Sequence, residues 1–337
     1  MDPARGLESD SIPRWPPVAR RTRGGLVECV HHGAAVALDA RGEILFAHGD
    51  PQARTFLRSA VKCWQALPLV ESGAADRYRF TAQELALACA SHEGEDAHVA
   101  VASSMLGKLG LDPAHLRCGA HPPYDRQAAL ALARRGEPPS NLHNNCSGKH
   151  AGMLAACLHR GWSIADYPEP SHPLQLEIRA RIAAAAGLRE EQLAHAIDGC
   201  GVPTWFLSLA RMARMFSALG NAAADEPLGR LAQAMRAHPE MVAGGHIFDT
   251  RLAAATRGRV LAKRGGAALG CAATREGVGI AVKCGDGAGD VVPVLLMRVL
   301  AALGLLGVAE REALREFAAP AQRNVAGREV GVLEACF

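Results

Sequence analysis

Lysine is scarce in this chain. Five lysines, at positions 62, 108, 149, 263 and 283, stand among 37 basic residues, and the rest are arginine. Arginine keeps its charge under all ordinary conditions, whereas lysine can lose a proton and act as base, nucleophile or ligand. Where surfaces are charged with arginine, the places that retain lysine are the first to inspect for chemistry. Other scarcities exclude whole classes. The formal net charge is only +3 and the basic residues form no stripe, which argues against a nucleic-acid surface. No secretory leader is expected: Arg20-Arg21 resembles a twin-arginine signal, but Glu28, His31 and His32 interrupt the apolar region that should follow. No membrane span is expected either. The longest apolar stretch, 291–309, contains Pro293, Arg298, Gly304 and Gly307 and reads as a buried helix. The 10 cysteines include no CxxC pair. In a long chain without a leader they read as reduced thiols of a cytoplasmic protein, most of them small core residues.

What is present is a globular composition, 49% hydrophobic and 21% charged over 337 residues, enough for one large domain or two ordinary ones. Residues 1–23, with the basic run Arg20–Arg23, carry no periodic pattern and are expected to form a mobile tail, leaving 24–337 as the main domain, open to division into two lobes. Residues 26–48 alternate and predict strands, the last two joined as a hairpin. Helices are predicted over 59–70, from Thr81 (a capping box with Glu84), over 96–109, 127–135 and 149–160 with Gly161 as C-cap, and over 173–187, 204–218 and 227–237. Strands are predicted at 258–263 and 278–284, before the long apolar helix. The expected class is α/β: a mixed sheet built from both termini, packed helices and a largely helical middle.

Several polar groupings interrupt this pattern. Ser59-Ala60-Val61-Lys62 has S-x-x-K spacing, which on a helix places hydroxyl and amine on one face. A serine becomes a good nucleophile when a base takes its proton, and a neutral lysine can be that base. Neutrality near pH 7 requires lowering a lysine pKa by roughly 3 from its usual value of about 10.4, which burial or a second cation can do. Lys283, ending the run GIAVK before Cys-Gly-Asp-Gly, is a candidate for that second cation, or else a lysine protecting a sheet edge. Ser91-His92-Glu93-Gly94-Glu95 follows the apolar helix LALACA and is placed to line a pocket or simply to end the helix. Cys146, Lys149 and His150 lie at a loop-to-helix junction, and Cys200 follows Asp198-Gly199. Two thiols with an amine could make a soft metal site with zinc as the default, although lysine is an unusual zinc ligand and buried inert thiols are the simpler reading. Lys108 reads as a helix C-terminal charge, and Lys263, before Arg-Gly-Gly, is given no role.

In order along the chain, RSAVKCWQ (58–65), ACASHEGEDAH (88–98), HNNCSGKHAGML (143–154), DGCGVP (198–203), MVAGGHIFDT (241–250) and VKCGDG (282–287) resemble the thermolabile, Rhizobium-type L-asparaginases, often called class 3. The resemblance spans about 24–335, and NNCSGKHAGML is its most specific block. It implies a fold similar to serine β-lactamases and related glutaminases, and hydrolysis of L-asparagine to L-aspartate and ammonia. It further implies Ser59 with Lys62 and Ser91 with Lys283 as two Ser-Lys tandems, Ser59 being the nucleophile. One zinc ion (Zn2+) per chain would be held by Cys146, Lys149 and Cys200, and the protein would be a homodimer. Arg58 is expected to bind the substrate α-carboxylate, Asp198 its α-ammonium or a metal-bound water, and His92 to line the substrate pocket. Cys63 stands where the family usually has proline after the lysine, Gly289 where an arginine is common, and His246-Ile247 in place of a more polar element. The alternatives are a glutaminase or β-lactamase-like acyl hydrolase, and a non-catalytic, zinc-stabilised amino-acid binding protein.

Overall fold

The computed structural model describes residues 15–337. The N-terminal segment supplies β1 (Pro17–Arg23), β2 (Leu26–Leu38) and β3 (Ile44–His48). A small second sheet contains β4 (Arg54–Phe56), β5 (His195–Ile197) and β6 (Pro203–Ser208). The C-terminal third supplies β7 (Val260–Arg264), β8 (Leu269–Thr274), β9 (Gly279–Cys284), β10 (Ala321–Arg323) and β11 (Glu329–Ala335). The main sheet runs β10-β11-β1-β2-β9-β8-β7, with β3 also pairing β2. It is thus built from both ends of the chain around a helical middle, as expected.

Its central strands, β7, β8, β9 and the second half of β2, are buried on both faces. Along β2, Ala34, Val36 and Leu38 join one core while Ala35 and Ala37 join the other, following the two-residue period of a strand. The helix Leu209–Asn221 packs over β2, β8 and β9 on the first face. The apolar helix Val291–Ala302 covers the second and leaves Arg298 exposed, so that stretch is a core element. Each of its buried leucines contributes about 2 kcal/mol by leaving water. No helix among the described residues is long and apolar enough to cross a membrane.

Some expectations need correction. Every strand pair among the described residues is antiparallel, so the sheet is not mixed. Residues 1–14 of the expected tail lie outside the described residues, but 17–23 form β1. Val18 and Ala19 are buried there, and Arg20, Arg21 and Arg23 pair with Glu334, Asp290 and Glu28. The helix expected over 204–218 begins at Leu209, because Thr204-Trp205-Phe206 suit a strand and Ser208 caps the helix by accepting from the Arg211 N–H. The helix expected over 59–70 is broken into a 3-10 turn, Arg58–Val61, and the short helices Lys62–Gln65 and Leu67–Glu71. The capping box at Thr81 and the left-handed Gly161 cap are as read.

Candidate active site

Arg58 turns the chain from β4 into the 3-10 segment. Its φ of 47° is in the left-handed region, an uncommon and strained setting for a non-glycine residue. Two contacts hold it there: its N–H donates to Thr204 Oγ1 on β6 at 2.9 Å, and its guanidinium pairs with Asp198. Gly266 packs closely beside it: a Cβ there would lie 3.0 Å from Arg58 Cζ and would make the guanidinium shift by a few tenths of an ångström. The next residue, Ser59, faces a cleft of about 650 Å³ that is also lined by Arg58, Ser91, Glu93, Asn145 and Arg264.

Lys62 is buried one turn after Ser59, yet its amine does not go to Ser59. Its Nζ donates to Ser91 Oγ at 2.9 Å, to the Asn145 carbonyl at 3.2 Å and to the Ala90 carbonyl. Among the described residues the Ser59 hydroxyl makes no hydrogen bond. A second amine also reaches Ser91. It belongs to Lys263, on β7, whose Nζ lies 2.7 Å from Ser91 Oγ and 3.1 Å from the Arg264 carbonyl. Lys263 is fully buried. Burial, followed by the charge of Lys62, pushes its pKa down to about 7. As an ammonium Lys263 donates to Ser91 Oγ, as Lys62 does; its neutral form has a lone pair that can accept the Ser91 proton instead.

The expected partner of Ser91, Lys283, is elsewhere. Its Nζ donates to the Ala267 and Cys284 carbonyls and lies 6.0 Å from the centre of the Trp15 ring. The pairing of Lys283 with Ser91 is therefore corrected: Lys263, the lysine given no role, occupies that place. Its signal was its alternation with Leu261, which puts both on the face of β7 that meets the helical layer.

Arg264 ties β7 to the Ser91 segment. Its guanidinium donates to the Ser91 carbonyl at 3.3 Å and pairs with the Glu93 carboxylate, while its backbone N–H donates to Asp249 Oδ2 at 2.8 Å. Glu93, from the polar cluster placed to line a pocket, lines the cleft together with Asp249 and Arg264, which have no role in the sequence reading. His92 points the other way. It lies between two cleft-lining residues, is fully buried, places Nε2 2.8 Å from Ser147 Oγ, and stacks on His98 at 4.9 Å. Burial holds its imidazole well below the usual pKa. The expectation that it lines the substrate pocket is corrected. Asp198 is half-buried behind Arg58, holds that guanidinium and accepts the Gly199 N–H at 2.8 Å, and it is not part of the cleft lining.

Cys146, Lys149 and Cys200 converge just beneath this network. All are buried, and Lys149 Nζ donates to Cys200 Sγ at 2.9 Å. Sharing a hydrogen between the thiols lowers the Cys146 pKa well below its usual value, with Lys62 and Lys149 reinforcing it, and raises that of Cys200. Burial disfavours the Lys149 ammonium, but the two sulfurs outweigh that and its pKa is raised. The adjacent His150 places Nδ1 2.6 Å from Tyr167 Oη, and its buried Nε2, near Cys200, has no hydrogen-bond partner among the described residues. Two thiols beside an imidazole nitrogen are donors that suit a borderline-soft divalent metal such as zinc, whereas Lys149 would join them only on losing the proton that the two sulfurs favour.

Among solved structures, a β-lactamase from Mycobacterium bovis is 13% identical, with a TM-score of 0.41 over 80% of this chain and 94% of that one. A β-lactamase-type protein from Bacteroides dorei is likewise 13% identical, with a TM-score of 0.40 over 80% of this chain and 93% of that one. Likeness at this distance carries no argument about chemistry. Among curated proteins nothing matches. The model of the family described as L-asparaginase II matches residues 19–335, nearly the whole length, and the chain belongs to that family.

Proposed function

We propose that the protein is an L-asparagine amidohydrolase that forms L-aspartate and ammonia by a Ser-Lys mechanism. One observation carries this reading: a single hydroxyl, Ser91, lies 2.9 and 2.7 Å from two buried lysine amines at a cleft that Ser59 also lines. A binding protein needs no such arrangement. Ser59 is the more accessible hydroxyl and the proposed nucleophile. Ser91, with Lys62 and Lys263, is the proton-handling unit that receives the serine proton and returns it to the departing nitrogen. The Ser59 N–H would face the developing oxyanion, whereas the Ser91 N–H is already taken by the Val242 carbonyl. Arg58 retains free guanidinium nitrogens for the substrate α-carboxylate, and Asp198 holds that guanidinium in place.

Cys146, Lys149 and Cys200 would hold one zinc ion, which when bound supplies a fixed positive charge beside the lysines. These residues, by their convergence, tie the helix Ser147–Arg160 to the loop at 198–201. A homodimer in the cytoplasm belongs to the same reading.

Steady-state ammonia release from asparagine and glutamine, with nitrocefin as a third substrate, tests the activity. Asparagine should give the highest kcat/KM, and turnover of nitrocefin alone would reject the assignment. Quenching the reaction and mapping the acylated serine by mass spectrometry tests the nucleophile. Modification at Ser59 is expected, and modification at Ser91 would transfer the role. Elemental analysis should find about one zinc per wild-type chain and clearly less after Cys200→Ser; no metal in chelator-free wild type would reject the zinc site.

A further inference from the structure

We propose that the cleft accepts asparagine side-chain amides whose nitrogen carries an apolar group, so that N4-substituted asparagines are substrates and an amine is the leaving group. This rests on the amidohydrolase reading and names a broader substrate class for the same site.

The first observation is room. Clefts of roughly 300–1,000 Å³ hold drug-sized ligands, and this one measures about 650 Å³. Free asparagine is far smaller. The second is how the lining is divided. Arg58, Ser59, Ser91, Glu93 and Arg264 make one part of the wall charged or hydroxylic. Tyr124, Ile247, Pro293 and Phe317 make another part apolar. Tyr124 is 59% exposed, and the other three are half-buried, so their faces are available to a ligand. The third is rigidity. Phe317 packs edge-to-face on Phe248 at 5.2 Å, and Phe248 and Val292 belong to the second hydrophobic core. Phe317, and Pro293 on the same core helix as Val292, are therefore anchored to that core. Gly287 and Gly289 line the cleft with no side chain, and a Cβ at either would meet nothing within 4 Å.

Asparagine has polar groups at both ends and only one methylene between them, so it makes no use of such a wall. A substituent on the amide nitrogen would. That substituent is attached to the atom that leaves, so it is bound up to the moment of bond cleavage and then departs. The serine oxygen bonds to the carbonyl carbon and the C–N bond breaks. The serine proton passes through a lysine amine to the nitrogen, and a primary amine is released. Water then splits the aspartyl ester, giving aspartate and restoring the hydroxyl.

N4-methyl- and N4-benzyl-L-asparagine separate wall binding from amide reactivity, because both are unactivated secondary amides and only benzyl can reach an apolar wall. Aspartate release from each, and from asparagine, is measured by chromatography. For the wild-type chain, kcat/KM for the benzyl compound should exceed that for the methyl compound by at least about tenfold, or about 1.4 kcal/mol of binding in the transition state. Phe317→Asp should abolish this preference. If that variant does not fold, Phe317→Ala should reduce the preference several-fold. Asparagine turnover with no benzyl preference would overturn the inference and leave the amidohydrolase reading intact, as would a preference that survives both substitutions. Turnover of the benzyl compound without asparagine would support the apolar subsite and remove asparagine as the substrate. No turnover of any of the three would overturn both readings.

Discussion

Lys263 and Lys283 occupy similar places and do different things. Each sits at the C-terminal end of a strand in the same sheet, each points to the face covered by the helical middle, and each has a lowered pKa caused first by burial. Lys263 meets Ser91 Oγ, and its neutral form is favoured further by Lys62. Lys283 meets two backbone carbonyls, and the neighbouring Cys284 and Asp286 oppose the effect of burial. The difference is two residues of register. Lys263 pairs with Cys271, which pairs with Ala281, so position 281 is level with it across the sheet. Lys283 pairs with Leu269, two residues farther along, roughly 6–7 Å past that level. It has passed the layer on which the Ser91 segment rests. There it helps to hold the glycine-rich turn that follows, which His31 also grips through a 2.6 Å contact with Asp286.

The sharpest way to break this comparison is to remove each amine in turn. Lys263→Met should reduce kcat for asparagine by about 10²–10⁴-fold, the range for loss of a general acid–base group. Lys263→Arg should not restore it, because a guanidinium cannot take up the serine proton. Lys283→Met should cost less than about tenfold, a loss of packing around a turn and not of a proton acceptor. Equal losses in the two methionine variants, measured on chains with matching circular dichroism, would erase the distinction and bring Lys283 into the chemistry.

This comparison also marks how far the sequence could be read. The scarcity of lysine directed attention to the right residue type, and the S-x-x-K spacing and the block around Cys146 located Lys62 and the thiol-amine cluster. The alternation of 26–48 and of 278–284 was enough to place β2, β3 and β9. What failed was pairing between distant segments. Nothing local distinguishes GRVLAK from GIAVK as the strand whose lysine faces Ser91, because that depends on a ladder running through β8, a strand of small residues that had not been anticipated. His92 failed for a related reason: it shares a polar cluster with Ser91 and Glu93, but alternation along the backbone sends its ring into the core. The left-handed backbone at Arg58 was equally hidden, since it is imposed by Thr204 and Asp198 more than a hundred residues away.

The pH dependence sharpens the contrast. If neutral Lys263 is the proton acceptor, kcat/KM should rise with pH and level off above about 7, falling close to tenfold per pH unit on the acidic side. Lys62 is the second cause of that low value, after burial. In Lys62→Met the residual activity should therefore show its acidic limb displaced upward in pH, toward the ordinary lysine range. Lys283→Met should leave the limb where it is. A limb unmoved by loss of Lys62 would mean that some group other than Lys263 governs it.

The smallest effect is on stability, and its sign follows from proton counting. In the unfolded chain Lys263 stays protonated up to a pH of about 10.4. In the folded chain it loses its proton near 7. Between those values the unfolded state binds more protons, so the Lys263 contribution to stability rises with pH across this window and is least favourable below 7. Lys263→Met removes that dependence. Urea midpoints at pH 6.5, 8 and 9.5 should therefore show the largest gain for the methionine variant at pH 6.5, narrowing as pH rises. A gain of constant size across the three values would assign it to better packing, because the removal of an amine that titrates inside the protein must produce an effect that changes with pH.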